Sequence, residues 1–496
     1  MATTNMSAVG ADTNRYAQTL LLIVLGVVVA RLVVVAFTPL DLFYDEAQYW
    51  YWGEHPALGY FSKPPLIGWL IAASTAICGD TEACIRAPAA MFHGLTTLLV
   101  FGLTRSLYEE RTAFFSALAY LFAIGISASS LIMSTDVPLL FCWVTGLWAF
   151  ARYRQTPSLV LALGFGLAVA IGLNAKYAMI YFPLCLLLYL ALTAEKRALL
   201  KRGDLWVGIG VGLLGFVPNL IWNIQNDFIT FAHTGTNISG GGITFNPLSF
   251  LEFVGSQFGV AGPIILIAAL LTLVWRWTSD KPETDRFLWI FSLPILGLLS
   301  LQAFQSSANY NWAATAFPSL VIVTTAILIH KAQFKWVRWN LITCAVVAGL
   351  LGSAALAVLL VRPDNPIVSR TNLEDMYGWA EHADVIGNRL DALEADTIVT
   401  VGRRYAAGFS FYLKDRGEDI RAFRREGAPP QNHFELTVPW AEPAPGERAV
   451  IISPANITPL SSARLVGVVE ADEGEAVFRS NSYLFLAVGP EEQALE

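Results

Sequence analysis

Apolar stretches alternate with short polar breaks from residue 17 to residue 361, and their lengths are those of membrane-crossing helices. The stretches cover 17–37, 87–107, 112–132, 137–153, 158–173, 177–194, 205–222, 251–275, 287–303, 312–329 and 340–361. A helix rising about 1.5 Å per residue needs roughly 20 such residues to cross roughly 30 Å of hydrocarbon, so eleven spans are predicted. The run 65–78 is apolar but short, and it starts at Pro64-Pro65; that length and start predict an interfacial or re-entrant helix. From about Asn372 the period changes. Short β-rich runs at 397–401, 449–452, 464–469 and 483–488 alternate with helical patterns at 375–393 and 405–413, which predicts a small α/β domain. The expected division is a transmembrane domain over 1–361 and a soluble domain over 362–496.

Composition agrees with this pattern. Of 496 residues, 55% are hydrophobic and 14% charged, and the mean hydropathy is +0.52, which excludes an ordinary soluble protein. The first apolar stretch has no convincing cleavage site and is read as a retained span. Residues 1–361 hold 19 Lys and Arg against 17 Asp and Glu, whereas 362–496 hold 13 against 22. The soluble part is therefore acidic, which excludes nucleic acid as a partner.

Charge also fixes a direction. With eleven spans and a cytoplasmic N-terminus, 15 of those 19 cations fall on the cytoplasmic side; only Arg31, Lys63, Arg86 and Lys176 do not. Promoting 65–78 to a full span reverses most of that bias, so the shorter count is kept. Residues 38–86, the turn at Asp136, the loop 223–250, the turn 304–311 and the acidic tail then share the extracytoplasmic side. Loop 223–250, with Ser239-Gly240-Gly241-Gly242, reads either as a lid or as a plain glycine turn. The five cysteines have no metal-ligand spacing. Four sit in or beside apolar runs, as small buried hydrophobes do. Cys78 and Cys84 close a short loop, and in an oxidising compartment both a bridge and two free thiols are open to them.

Three polar features lie on this one side: Asp45-Glu46 after the first span, Ser62-Lys63-Pro64-Pro65, and Thr135-Asp136-Val137-Pro138. Taken singly, Asp136 reads as a helix cap, and Lys63 and Arg86 as interface anchors. Together, a base, a second anion and a cation are what glycosyl or phosphoryl transfer to a hydroxyl requires. Arg31, inside the first span, is costly in lipid and is expected to face a partner or a headgroup.

These residues carry a resemblance. Tyr44-Asp45-Glu46, Phe61-Ser62-Lys63-Pro64-Pro65-Leu66, Gly79 with Arg86-Ala87-Pro88, Thr135-Asp136-Val137-Pro138, and Asn309-Tyr310-Asn311-Trp312 with Pro318 resemble the bacterial branch of the dolichyl-phosphate-mannose protein mannosyltransferase family. That branch includes aminoarabinose lipid A transferases and rhizobial lipopolysaccharide galacturonosyltransferases. The resemblance spans roughly residues 15–330, and the tail is similar to the small α/β domain of the aminoarabinose enzymes. It implies a polytopic α-helical membrane protein of the GT-C glycosyltransferase fold, in a bacterial inner membrane, using a polyprenyl-phosphate sugar on the periplasmic face. Asp45 then looks like the catalytic carboxylate, Asp136 like a second acid, Lys63 like the ligand of the donor phosphate, and Tyr310 like a tyrosine supporting it. Ser62 stands where the aminoarabinose enzymes often carry an acid, which sets an aminoarabinose donor and a metal there in doubt.

The expected mechanism has Asp45, oriented by Glu46, deprotonate an acceptor hydroxyl that attacks the sugar with inversion, while Lys63, helped by Arg86 or Arg31, holds the leaving phosphate. Asp136 either orients the acceptor or, with Asp45, holds a divalent cation. The expected acceptor is a glycolipid such as lipid A or lipopolysaccharide; protein O-mannosyl transfer stays open. A lipid flippase or secondary transporter would carry inverted repeats and charges at the midplane, whereas here the charges gather at one surface. A non-catalytic scaffold leaves the clustered carboxylates and Lys63 unexplained.

Overall fold

The computed structural model describes residues 4–239, 245–357, 375–395, 397–417, 419–457, 459–471 and 480–490. The chain forms two compact units: one of residues 1–36, 63–67 and 86–353, the other of 37–62, 68–85 and 354–496. The expected domain boundary at 361/362 and the glycines 240–242 lie outside the described residues.

The long α1 (Thr4–Phe37) is followed by α2 (Tyr44–Glu54), α3 (Leu66–Cys78) and α4 (Glu82–Leu107). Next come α5 (Glu110–Leu121), α6 (Ile124–Ser129), α7 (Asp136–Tyr153), α8 (Leu159–Ala175) and α9 (Tyr181–Leu192). They lead to α10 (Gly203–Leu214), α11 (Val217–Gln225) and α12 (Ile229–Ser239). The remaining helices of the apolar region are α13 (Pro247–Ala261), α14 (Pro263–Val274), α15 (Pro282–Ile290), α16 (Leu293–Gln305), α17 (Phe317–His330) and α18 (Phe334–Ala357). Among the described residues six helices are long and apolar enough to cross a membrane, or up to eight if each of two bent pairs is one span.

Proline accounts for several breaks. It has no N–H to donate and drives the preceding residue out of the helical region. At Gly262-Pro263 the glycine takes φ +101°, and α13 and α14 meet at a bend of 111°, so the stretch 251–275 is not the straight span its hydropathy predicted. Pro218 and Pro294 stand at the starts of α11 and α16. The segment 223–250, expected to be a loop, contains α12.

Aromatic side chains fill the core of the helical unit: Trp143, Phe150, Phe165, Phe182, Tyr189, Phe287 and Phe291 are all buried. Where α8 packs on α10 the contact is made by glycine, because a Cβ on Gly166 would lie 2.4 Å from the Gly208 carbonyl oxygen. Such small residues let membrane helices approach backbone to backbone. One end of this unit is tied by polar groups. Arg154 binds Glu283 at 2.8 Å, and Tyr108 donates to Asp285 at 2.6 Å. These come from segments the charge pattern places on one side of the membrane.

In the second unit a six-stranded sheet has the order β3-β2-β1-β4-β6-β5, from β1 (Thr397–Thr400), β2 (Asp419–Phe423), β3 (Pro439–Trp440), β4 (Arg448–Ser453), β5 (Arg464–Val469) and β6 (Ser482–Val488). β1 runs parallel to β2 and β4, while β6 is antiparallel to β4 and β5. Period-two alternation buries both faces: Ile398, Val450, Ile452, Leu484 and Leu486 join one core, and Val399, Ile451 and Phe485 the other. α19 (Trp379–Leu393) and α20 (Arg403–Tyr412) accompany the sheet, with a short α21 (His433–Thr437). The α/β expectation holds, though β2, β3 and α21 were not foreseen. A disulfide joins Cys78 and Cys84 in this unit, and Cys142, Cys185 and Cys344 are free and buried.

Candidate active site

Asp45 lies in the first turn of α2, and α2 is fastened to the C-terminal chain within its unit. The Leu42 N–H donates to the Tyr412 hydroxyl at 2.7 Å, Asp41 accepts from the Trp379 N–H at 2.7 Å, and Trp50 meets Phe411 edge-on at 5.0 Å. Glu46, fully buried, accepts from the Phe43 N–H at 3.1 Å, so its carboxylate caps the helix start and fixes the backbone that carries Asp45. Arg403, the first residue of α20, brings Nη1 to 2.9 Å from Asp45 Oδ1. The approach lies off the hydrogen-bond direction, and among the described residues that oxygen accepts no hydrogen bond. Asp45 thus stands beside a cation through an oxygen that is engaged in no hydrogen bond. The rings of α2 pack against one another downstream: Trp52 stacks on Tyr60 at 4.4 Å, and His433 meets both edge-on. Tyr60 donates to the Trp52 carbonyl at 2.7 Å, and burial pushes its pKa up to about 12, so it stays a donor and braces the chain just ahead of Ser62-Lys63.

In the helical unit Asp136 is the first residue of α7 and has both oxygens engaged. Lys176 donates to Oδ1 at 2.7 Å and Asn311 to Oδ2 at 2.6 Å. The carboxylate therefore does not cap its helix, as one reading of the sequence had it, but ties the start of α7 to the chain after α8 and to the 3-10 turn Tyr310–Ala316. Asp136, Asn311 and Tyr310 line one cavity of about 220 Å³, with Tyr120, Ser129 and Ser134 as further polar groups and Leu140, Val260, Phe317 and Val321 as apolar wall. This mostly apolar lining with a few converging polar groups is the usual make-up of a small-molecule site.

Lys63 is half-buried. Arg86, in α4, is 1% exposed, which removes the reading of it as an interface anchor. Arg31 is also buried, and its guanidinium donates to the Leu121 carbonyl at 2.7 Å and contacts Ser127 Oγ at 3.3 Å. It thereby satisfies a carbonyl left open where α5 stops short of α6. The partner rather than the headgroup is what it faces. As for a cation held by Asp45 and Asp136, each carboxylate is already matched by a side-chain cation, and among the described residues no group of three His, Cys, Asp or Glu converges.

Two cations escaped the sequence reading. Lys176 stood out only as an exception to the charge bias, and Arg403 did not stand out at all. Nothing in either segment names its partner.

A profile of the dolichyl-phosphate-mannose-protein mannosyltransferase family matches residues 62–222. The lipid A galacturonosyltransferase of Rhizobium johnstonii is 30% identical over 420 residues, covering 84% of this chain and 86% of that one. An undecaprenyl phosphate-α-4-amino-4-deoxy-L-arabinose arabinosyl transferase of Pseudomonas fluorescens is 30% identical over 365 residues, covering 68% and 63%. In fold, the chain resembles ArnT from Cupriavidus metallidurans, whose crystal structure holds undecaprenyl phosphate, with a TM-score of 0.65, 16% identity, and coverage of 94% and 97%.

Proposed function

Since the chain belongs to the bacterial branch of the dolichyl-phosphate-mannose protein mannosyltransferase family and is a membrane glycosyltransferase of the GT-C fold, we propose that it moves a sugar from a polyprenyl phosphate to lipid A or a related lipopolysaccharide glycolipid. The observation that carries the mechanism is the state of Asp45, ion-paired yet with an oxygen free of hydrogen bonds. Asp45 takes the proton of the acceptor hydroxyl as its oxygen attacks the anomeric carbon. The bond from that carbon to the phosphate oxygen breaks, its electron pair leaves with the polyprenyl phosphate, and the anomeric centre inverts. Lys63 and Arg86 are assigned to the phosphate as its charge grows, with Tyr310 supporting it. Glu46 acts on Asp45 through the turn it caps. Asp136, clamped by Lys176 and Asn311, sets the wall that presents Tyr310. No step is routed through a metal.

The reaction is assigned to the periplasmic face of a bacterial inner membrane. The charge bias supports that side, as does the Cys78–Cys84 bridge, since disulfides persist in oxidising compartments. Asp45→Asn removes the base and leaves the shape, so transfer in a purified assay is expected to fall by roughly 100- to 10,000-fold with thermal stability unchanged; near-normal transfer would end the assignment. Mass spectrometry of lipid A, core and periplasmic glycoproteins from cells with and without the chain identifies the sugar and separates a lipid from a protein acceptor.

A further inference from the structure

We propose that Gln257, in α13, is a positioning residue for the reaction: its carboxamide fixes the backbone of Tyr310 and so aims the tyrosine hydroxyl at the phosphate of the lipid. The inference rests on the role given above to Tyr310.

Tyr310 is 61% exposed, so packing does little to hold its ring, and the place of its hydroxyl follows from the backbone that carries it. That backbone opens the 3-10 turn Tyr310–Ala316, a kind of turn with poorer hydrogen-bond geometry than an α-helix. Side chains from two helices support it. From α7, Asp136 accepts from Asn311 at 2.6 Å. From α13, Gln257 Nε2 donates to the Tyr310 carbonyl at 3.2 Å and to the Phe253 carbonyl, in its own helix, at 3.0 Å. Two carbonyls on one side identify the nitrogen of the amide, since an oxygen there would meet only acceptors.

Gln257 is costly where it stands. It is 4% exposed, and its Oε1 has no hydrogen-bond partner among the described residues. A buried amide satisfied on one side only is worse for stability than an apolar side chain of the same length. The folding of α13 therefore does not account for it, whereas the bond across to Tyr310 does. The same helix start also holds the chain ahead of the turn: the Asn246 N–H donates to the Phe304 carbonyl at 2.8 Å, and its side-chain amide to the Ser306 carbonyl at 3.2 Å. α13 thus grips the stretch 304–310 at both ends, and one turn past Gln257 its Val260 and Ala261 form part of the cavity that Tyr310 lines. A shift of about 1 Å in the Tyr310 backbone is enough to take its hydroxyl out of hydrogen-bond reach of a phosphate oxygen.

The test measures the binding of undecaprenyl phosphate, and of undecaprenol, which lacks the phosphate, to the full-length protein in detergent. Wild type, Gln257→Met, Tyr310→Phe and the double variant are compared, and neither lipid depends on which sugar is transferred. Gln257→Met keeps the side-chain length and removes the donor; it is expected to weaken undecaprenyl phosphate about 10-fold while undecaprenol stays within about two-fold. Tyr310→Phe is expected to lose roughly 10- to 100-fold for the phosphate. In that background Gln257→Met should cost nothing further, because its effect passes through the hydroxyl already removed. Gln257→Glu, of the same size and without the donor when ionised, runs beside it, so that misfolding of one variant, read by melting, leaves the other. Unchanged binding of the phosphate, equal losses for both lipids, or the same Gln257 loss with and without the tyrosine hydroxyl overturns the proposal, since Gln257 then does no more than shape the cavity. A wild type without preference for the phosphate overturns the proposed function itself, and a Tyr310→Phe protein with wild-type affinity overturns the role of Tyr310; the present inference falls with either.

Discussion

Two carboxylates of this protein meet cations in opposite ways. Asp136 gives both oxygens to Lys176 and Asn311, which suits a group that holds geometry, whereas Asp45 keeps an oxygen without a hydrogen bond beside Arg403, which suits a group that must accept a proton. Burial has a different consequence at His433. It is 4% exposed, enclosed by Tyr51, Trp52, Tyr60 and Phe434, and burial, with a smaller contribution from His55, lowers its pKa from 6.5 to about 3. The unfolded chain then binds a proton below its ordinary pKa that the folded chain refuses. The stability His433 allows is complete above pH 6.5 and is lost as pH falls toward 3, with a slope approaching about 1.4 kcal/mol per pH unit. Denaturant titrations of the wild type and His433→Gln between pH 7 and pH 4 should show the wild type weakening by one proton more than the variant.

Among the elements, the breaks matter as much as the helices. The bend at Gly262-Pro263 puts Val260 and Ala261 on the wall of the Asp136 cavity, and the interruption between α5 and α6 adds Tyr120, Ala123 and Ile126 to it. A straight helix has no backbone to spare for such a wall. Close packing constrains the other side of the unit, where a Cβ on Gly208 would stand 2.5 Å from the Ala162 carbonyl oxygen and 2.6 Å from the Phe165 ring. Gly208→Leu is expected to cost about 1–3 kcal/mol by overpacking, read as a lower melting point in detergent. Gly210→Leu, whose added Cβ meets nothing within 4 Å, should melt with the wild type. Had the two variants behaved alike, helix propensity rather than contact would be the cause.

At the scale of the whole molecule, the chain order puts Asp45, Lys63 and Asp136 in segments to which the charge bias gives a common side. The Cys78–Cys84 bridge fits an oxidising space there. Alkylation of the denatured protein should label three thiols without reduction, the number of free cysteines, and two more after it. Equal labelling in both arms would remove the bridge and with it this support for the periplasmic assignment. Reporter fusions near Arg197 and after the last residue should report opposite sides of the membrane.

The sequence by itself determined the apolar character of the helical region and the α/β character of the C-terminal chain, and singled out Asp45, Lys63 and Asp136 as candidates, because hydropathy, period and short motifs are local properties that need no partner to be read. It did not determine where helices bend within an apolar run, since the hydropathy of 251–275 is that of one span and only Gly262-Pro263 marks the turn. It also could not distinguish a capping Asp136 from a clamped one, because Lys176 and Asn311 are 40 and 175 residues away. The same holds for Arg403: a basic pair in an acidic tail has no meaning until α20 lies against α2 and sets a guanidinium beside Asp45. Residue type is written along the chain, whereas the pairing of distant charges depends on the packing that brings their helices together, and that was decided by the tertiary structure alone.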